Sequence, residues 1–523
     1  MENKSTVTAG TNNSYWTDSI EKPISFSKLN QNEETEVVIV GGGIAGVSIA
    51  YRLTQLNIKA ILVEDGFIGS GESGRTTAHL VNALDDRYYN LEKLFNEEDA
   101  KLIAESHTEA INFIEETVLK EKIDCDFSRV NGYLFLHPSD KEDSLDKEFH
   151  ACKRAGMDVS LQTEIPGMIE RKIRTLVFKN QGQFHPLKYL KGLCKAITGN
   201  GGKIFTETHA KEIDATGVIT DEGFKISAKH IVVATNTPVN NKYIMHLKQY
   251  PYRTYAIGVL VKKNSIPHAL WWDTGDFDSN PDVPPYHYVR TQHYNELYDL
   301  LICGGEDHAT GMADTDIIPE ENRYGLLEDW CSRNFAGGEI KFRWSGQVME
   351  PMDSLAYIGR NPLDKDNVYI VTGDSGNGMT HGTIAGILIG DLISGKENKW
   401  EKIYSPSRFK IFKAGDVFFK QVIGGFAAYL KDKPKNTDEV KLSDIKTGEG
   451  KIIELNGKKF GAYVDVENKL HLVEAECTHL KCIVKWNNDE KSWDCPCHGS
   501  RFTYEGKVLN GPANTDLFYH SEK

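Results

Sequence analysis

The chain has 523 residues, 40% hydrophobic and 26% charged, a composition ordinary for a globular protein and a length that predicts two or three folding units. A formal charge of -14 with no clustered Lys or Arg excludes a phosphate-backbone binder, which needs a basic face. No apolar run approaches the ~18 residues of a membrane span, and the start, "MENKSTVTAGTNNSYWTDS", lacks the apolar core of a secretory signal, so a cytoplasmic protein is expected, with residues 1–34 as a flexible or surface-lying polar leader.

The first predicted element is a buried strand, Val37 to Val40, in "EVVIVGGGIAGVSIA", running into Gly41, Gly43 and Gly46 and then an apolar helical pattern. Glycines at this spacing permit a tight turn, let the backbone approach a pyrophosphate and let the helix pack close on the strand. A second strand, "KAILVED", ends in Glu64, about 20 residues past the first glycine, where a carboxylate bonds ribose hydroxyls. A small-residue loop follows, with Ser73, Gly74, Arg75, Thr76, Thr77 and then His79 as candidate cofactor contacts. Ala234 and Thr235 close a later apolar strand, "IVVATNTP".

Near residue 370 comes "NVYIVTGDSGNGMTHGTIAGILIGDLI", a strand, a turn with Gly373, Gly376 and Gly378, and a long helix opened by Met379 and Thr380. A helix N-terminus there would favour negative charge on a reduced flavin ring, which selects FAD over a nicotinamide cofactor. Residues 396–437 turn Lys-rich and hold one helical pattern, Ala414 to Leu430, read as a linker helix packing between domains.

Five of the nine cysteines are scattered and read as small buried hydrophobes, whereas Cys477, Cys482, Cys495 and Cys497 crowd together. Cys477-x-His479 and Cys495-x-x-His498 flank a spacer from Leu480 to Asp494. Two cysteines and two histidines suit zinc. Each half supplies one of each, however, and that mixed division fits a Rieske centre, with two thiolates on one iron and two imidazoles on the other.

Residues 35 to 395 resemble the FAD-dependent oxidoreductases of the D-amino-acid oxidase class, the glycine and sarcosine oxidase family. The resemblance lies in "GGGIAG", "SGRTTAH", "FHPLKYLKGLCKAITGNGGKI", "IVVATNTP", "RWSGQVMEPMDSLAYIG" and the closing Gly-rich strand and helix. It implies a discontinuous α/β Rossmann-like FAD-binding domain (about 35–85, 184–240 and 350–395) and an α+β substrate domain with an antiparallel sheet (about 86–183 and 241–349). Some members bond flavin to a histidine just after this loop; His79 is the candidate, with its register shifted by about a residue. Only one nucleotide fingerprint is visible, so electrons are expected from an organic substrate and not from NADH.

Residues 438–523 resemble a small all-β Rieske domain, down to Gly511-Pro512. That resemblance implies Cys477, His479, Cys495 and His498 as ligands of a 2Fe-2S cluster and a disulfide between Cys482 and Cys497 clamping the ligand loops. Ser500 matches the serine of high-potential Rieske proteins, while Phe502 stands where those have tyrosine. The expected potential is below the respiratory type, inside the roughly -150 to +300 mV range of such centres.

Substrate contacts are less marked. Candidate catalytic residues are Arg253, Tyr255, His308, Trp344 and Gln347, with Tyr286, His287, Tyr288, Arg290 and Asp307 beside them. An arginine would pair a substrate carboxylate and aromatics would cage an amine, against the plainer reading of cross-strand packing. The function expected is an FAD-dependent dehydrogenase oxidising the C-N bond of an amino acid or other amine, passing electrons through the 2Fe-2S cluster to an external acceptor protein or quinone. A hydroxy-acid dehydrogenase, an N-demethylase or an electron-transfer component are the alternatives.

Overall fold

A computed structural model describes residues 12–240, 245–278, 285–311, 323–409 and 442–520. Glu33–Val40 is a central strand because Val37 to Val40 are apolar and buried on both faces, as a parallel strand between helix layers requires. It pairs in parallel with Ala60–Val63 on one side and Lys225–Val233 on the other. Lys225–Val233 in turn pairs in parallel with Val368–Thr372, so the sheet is assembled from segments far apart in the chain. Gly41, at φ +109°, turns the chain out of the first strand; a side chain there would collide with the Ala234 carbonyl.

Helices Ile44–Gln55 and Gly378–Ile393 pack directly on each other. A Cβ on Gly386 would lie 2.9 Å from that of Ser48, so the missing side chain sets how closely the two helices approach.

The second sheet has nine strands, mostly antiparallel, with Gln249–Lys262 between Glu339–Pro351 and Tyr298–Ala309. The C-terminal unit consists of two four-stranded antiparallel sheets around its own core of Trp493, Phe502, Val473 and Leu517. The expected fold class is therefore observed in all three parts.

The N-terminal leader departs from expectation. Trp16 is fully buried, its Nε1 donates to the Thr76 carbonyl at 2.6 Å, and Leu29 is buried, so this part of the leader is packed in and not surface-lying. The polar composition conceals a few apolar anchors. The expected linker helix, Ala414 to Leu430, lies outside the described residues. Among the described residues no helix is long and apolar enough to cross a membrane.

Candidate cofactor and active site

Where the first sheet meets the second, a cavity of about 980 Å³ opens over the ends of the parallel strands. Gly41, Gly43, Ser73, Arg75, Thr76, Thr77 and His79 line one end. Ile44–Gln55 begins at Gly43, which contributes no capping side chain, so that helix dipole is left for an anion. Ser73 Oγ accepts the Ile44 N–H at 2.9 Å and ties the loop to the helix start. Glu64 accepts the Gly42 and Gly66 N–H groups at 2.6 and 2.8 Å, and burial raises its pKa. Asn377 opens the other helix, again without a side-chain cap, and Gly376, Gly378 and Met379 line the cavity. Two open helix N-termini and a buried carboxylate fit a dinucleotide.

The rest of the wall is acidic and aromatic. Asp85, Asp86, Asp307, Glu350 and Asp374 face the cavity, as do Tyr250, Tyr252, Tyr286 and Tyr288. Burial pushes Asp86 up to about 6 and Asp307 and Asp374 to about 7, and it also raises Asp85 and Glu350. The single hydroxyl of Ser375 lies 3.2 Å from Asp86 Oδ2 and 2.9 Å from Glu350 Oε1. Ser354 also bonds Asp86, but neither hydroxyl carries charge, and the nearby Arg87 guanidinium offsets the burial of Asp86 only in part, so the two neighbouring carboxyls favour a shared proton or a further cation.

Val508, Leu509, Asn510, Gly511, Ala513 and Asn514 complete the wall from the C-terminal unit. Asn510 Nδ2 donates to Glu72 at 2.9 Å, and Gln347 Nε2 donates to the Gly499 carbonyl at 3.0 Å. Behind them lies a buried charge cluster. Glu490 stands 3.3 Å from Arg75, 3.7 Å from Arg253 and 3.9 Å from Arg501, and Ser345 Oγ donates to it.

In the C-terminal unit, the Cys477 and Cys495 thiols face each other, and hydrogen bonding from Cys495 lowers Cys477 to about 7. The His479 and His498 rings are 5.1 Å apart between centroids at 83°. Cys482 and Cys497 form a disulfide with Cα atoms 6.5 Å apart. The sulfurs of Cys482, Cys495 and Cys497 also cluster, but the disulfide removes two of them as metal ligands. Two adjacent thiols and two adjacent imidazoles fit a cluster with one iron on each pair.

Residues 36–392 match the family model for FAD dependent oxidoreductases, and residues 437–520 match that for the Rieske 2Fe-2S domain. The chain belongs to the FAD dependent oxidoreductase family. A Bacillus subtilis (strain 168) protein named as a Rieske 2Fe-2S iron-sulfur protein, YhfW, is 31% identical over 503 residues, covering 95% of this chain and 96% of its own. The gamma-glutamylputrescine oxidoreductase of Escherichia coli (strain K12) is 26% identical over 399 residues, 74% of this chain and 90% of its own. The crystal structure of glycine oxidase from Geobacillus kaustophilus superposes with a TM-score of 0.59 at 18% identity, covering 72% of this chain and 100% of its own, and shows the fold alone. This FAD dependent oxidoreductase thus carries FAD and a Rieske 2Fe-2S centre as its cofactors.

Of the expected FAD contacts, Glu64, Ala234 and Thr235 line the cavity with those named above, whereas Gly46, Gly74, Gly373 and Thr380 stand behind its wall. Gly46 packs on the Gly41 carbonyl, and Thr380 Oγ1 lies 3.0 Å from His107 Nδ1. Among the expected substrate contacts, Gln347, Tyr286, Tyr288 and Asp307 line the cavity.

Arg253, Tyr255, His308, Trp344, His287 and Arg290 are not among its lining residues. Arg253 faces Glu490, so it is not placed to pair a substrate carboxylate. Tyr255 Oη and His308 Nε2 bond each other at 3.1 Å, and Trp344 Nε1 donates to the Arg75 carbonyl at 2.9 Å. His287 bridges Asp273 and Glu306, both at 3.0 Å, and Arg290 donates to the Ala78 and Phe184 carbonyls. Sequence reasoning misses Asp85, Asp86, Glu350 and Asp374; the adjacent acids of "LDDRYY" are the available signal.

Proposed function

We propose that the protein oxidises the C-N bond of an amine that enters as a cation, and that the electrons leave through the Rieske centre to an external one-electron acceptor protein or quinone. The observation that carries this reading is the pair Asp86 and Glu350 sharing one Ser375 hydroxyl in a wall of further carboxyls and tyrosines. An ammonium group supplies the positive charge that Arg87 provides only in part and finds cation-π faces beside it.

The arginines around the cavity are engaged by the protein itself. Arg75 donates to the Ser345 and Asn12 carbonyls and to Glu490, and Arg87 to the Leu84 and Asp273 carbonyls. A substrate carboxylate would therefore meet acids and not a guanidinium, which favours a simple amine over an amino acid. The relative named gamma-glutamylputrescine oxidoreductase supports an amine substrate class.

Bound FAD supplies hydride acceptance from the carbon beside nitrogen, and the cluster supplies one-electron carriage. The chain's own part is to orient the cation and to take its proton, because hydride leaves readily only beside a neutral amine. Asp307, with a pKa of about 7, is matched to that exchange at neutral pH. The imine product then hydrolyses.

The test is anaerobic mixing of the purified protein with cationic amines, N-methyl amines, amino acids and hydroxy acids, following flavin absorbance and the Rieske paramagnetic resonance signal. Amines should bleach the flavin at least tenfold faster than amino acids of equal chain length, and the cluster signal should follow. Preferential reduction by amino acids, or reduction only by a partner protein, overturns the reading.

A further inference from the structure

The short turn Met245–Leu247 precedes the long strand Gln249–Lys262 and belongs to the oxidoreductase part of the chain. It carries His246, only 4% exposed. The His246 ring lies 4.8 Å from that of His479 at 73° and 5.6 Å from that of His498 at 62°, both centroid to centroid. The two imidazoles suited to bind iron therefore meet a third that comes from outside their own unit.

The turn is held firmly. Lys248 N donates to the Met245 carbonyl at 3.0 Å, and Lys248 Nζ donates to the Pro406 and Arg408 carbonyls at 2.7 and 2.6 Å. On the other side, Gly499, next to His498, accepts from Gln347 of the cavity wall at 3.0 Å. The loop carrying His498 is thus tied to the wall of the flavin cavity.

We propose that His246 is a positioning residue of the Rieske centre, contributed by the oxidoreductase part: it fixes both ligand imidazoles edge-on and keeps water from them. If electrons leave the flavin as in the function proposed above, that edge is the face through which they arrive from the cavity. Neighbours of metal-bound histidines set ring orientation and solvent access, and through these the potential.

The sign follows from charge. Two ferric ions, two sulfides, two thiolates and two neutral imidazoles sum to zero, and the reduced centre carries one negative charge. Excluding water penalises the charged, reduced form. Opening the site should therefore raise the potential.

The experiment uses the full-length protein with both cofactors and the variants His246→Ala and His246→Phe. It reads the g-values of the dithionite-reduced cluster, its midpoint potential, and the rate at which its signal appears after flash reduction of the bound flavin. His246→Ala should raise the potential, alter the g-values and slow cluster reduction at least tenfold, while His246→Phe, which restores an edge-on ring, should return the potential and g-values toward those of the native protein. Native potential and g-values in His246→Ala overturn the assignment, as does a Phe variant that behaves like Ala. If the native protein shows no flavin-to-cluster transfer while the potential moves as expected, the proposed function fails and the positioning role stands.

Discussion

Glu490 of the C-terminal unit lies 3.7 Å from Arg253 of the second sheet, and neither side chain is reached by solvent. Arg75 and Arg501 close on the same carboxylate, so one anion neutralises part of a buried cluster of three guanidiniums. Arg501 also pairs with Asp494 at 3.0 Å, but Glu490→Gln strips Arg75 and Arg253 of this buried carboxylate and should lower the unfolding free energy by about 3–5 kcal/mol, as for other broken buried pairs. Urea denaturation of the native and variant proteins measures it.

Burial alone would raise the pKa of Glu490, but Arg75, Arg253 and Arg501 outweigh it and hold the carboxyl below the usual range. A depressed carboxyl contributes stability above its unfolded pKa, and that contribution is lost as pH falls through the folded value. Native stability should therefore decline as pH falls below the ordinary carboxyl pKa, and this dependence should flatten in Glu490→Gln.

Asp307 has the opposite sign. Its pKa of about 7, raised by burial, means its stabilising contribution is present below the ordinary carboxyl pKa and lost as pH rises through about 7. Binding of a cation requires the ionised form, so kcat/KM for an amine should rise across the same window. Asp307→Asn should remove that inflection and cost about tenfold in kcat/KM, or about 1.4 kcal/mol; steady-state rates across neutral pH decide it.

The Cys482–Cys497 bridge closes a sequence separation of 15 residues. Replacing both with serine should cost about 3 kcal/mol in chain entropy and loosen the loops carrying the ligand residues. Thermal unfolding and the intensity of the Rieske signal per mole of protein both report the loss.

Ser500 hydrogen-bonds the Cys477 sulfur and accepts the Ala513 N–H at 2.9 Å. Ser500→Ala should lower the cluster potential by removing a donor to sulfur, and Phe502→Tyr should raise it by adding one. Spectroscopically monitored redox titration measures both shifts.

At His79, Nδ1 lies 3.1 Å from the Thr77 hydroxyl and Nε2 lies 3.2 Å from the Val289 carbonyl, with burial lowering its pKa to about 3. Both ring nitrogens are engaged within the protein. Acid precipitation should therefore release the flavin into the supernatant; a yellow pellet would contradict this.

The two cofactor sites are legible in the chain because their determinants are local. Gly41, Gly43 and Gly46 act within one turn, and the four expected ligands, Cys477, His479, Cys495 and His498, sit in two short loops. Arg253 reads as a substrate contact because its actual partner, Glu490, belongs to another unit and leaves no local signal. The acidic wall is hidden for a related reason: Asp85 and Asp86, Asp307, Glu350 and Asp374 come from four separated stretches that only the tertiary fold brings together. Trp16 shows how a single buried anchor overrides the polarity of a whole segment.

The wall that Val508 and Asn514 bracket also bears on how the flavin is enclosed. Among the described residues, every other one lining the cavity lies at or before Gly382, and the lining resumes at Val508. Without that wall the flavin cavity would be an open trough on this side. The Rieske domain thus shields the flavin cavity from solvent besides holding its own cluster site.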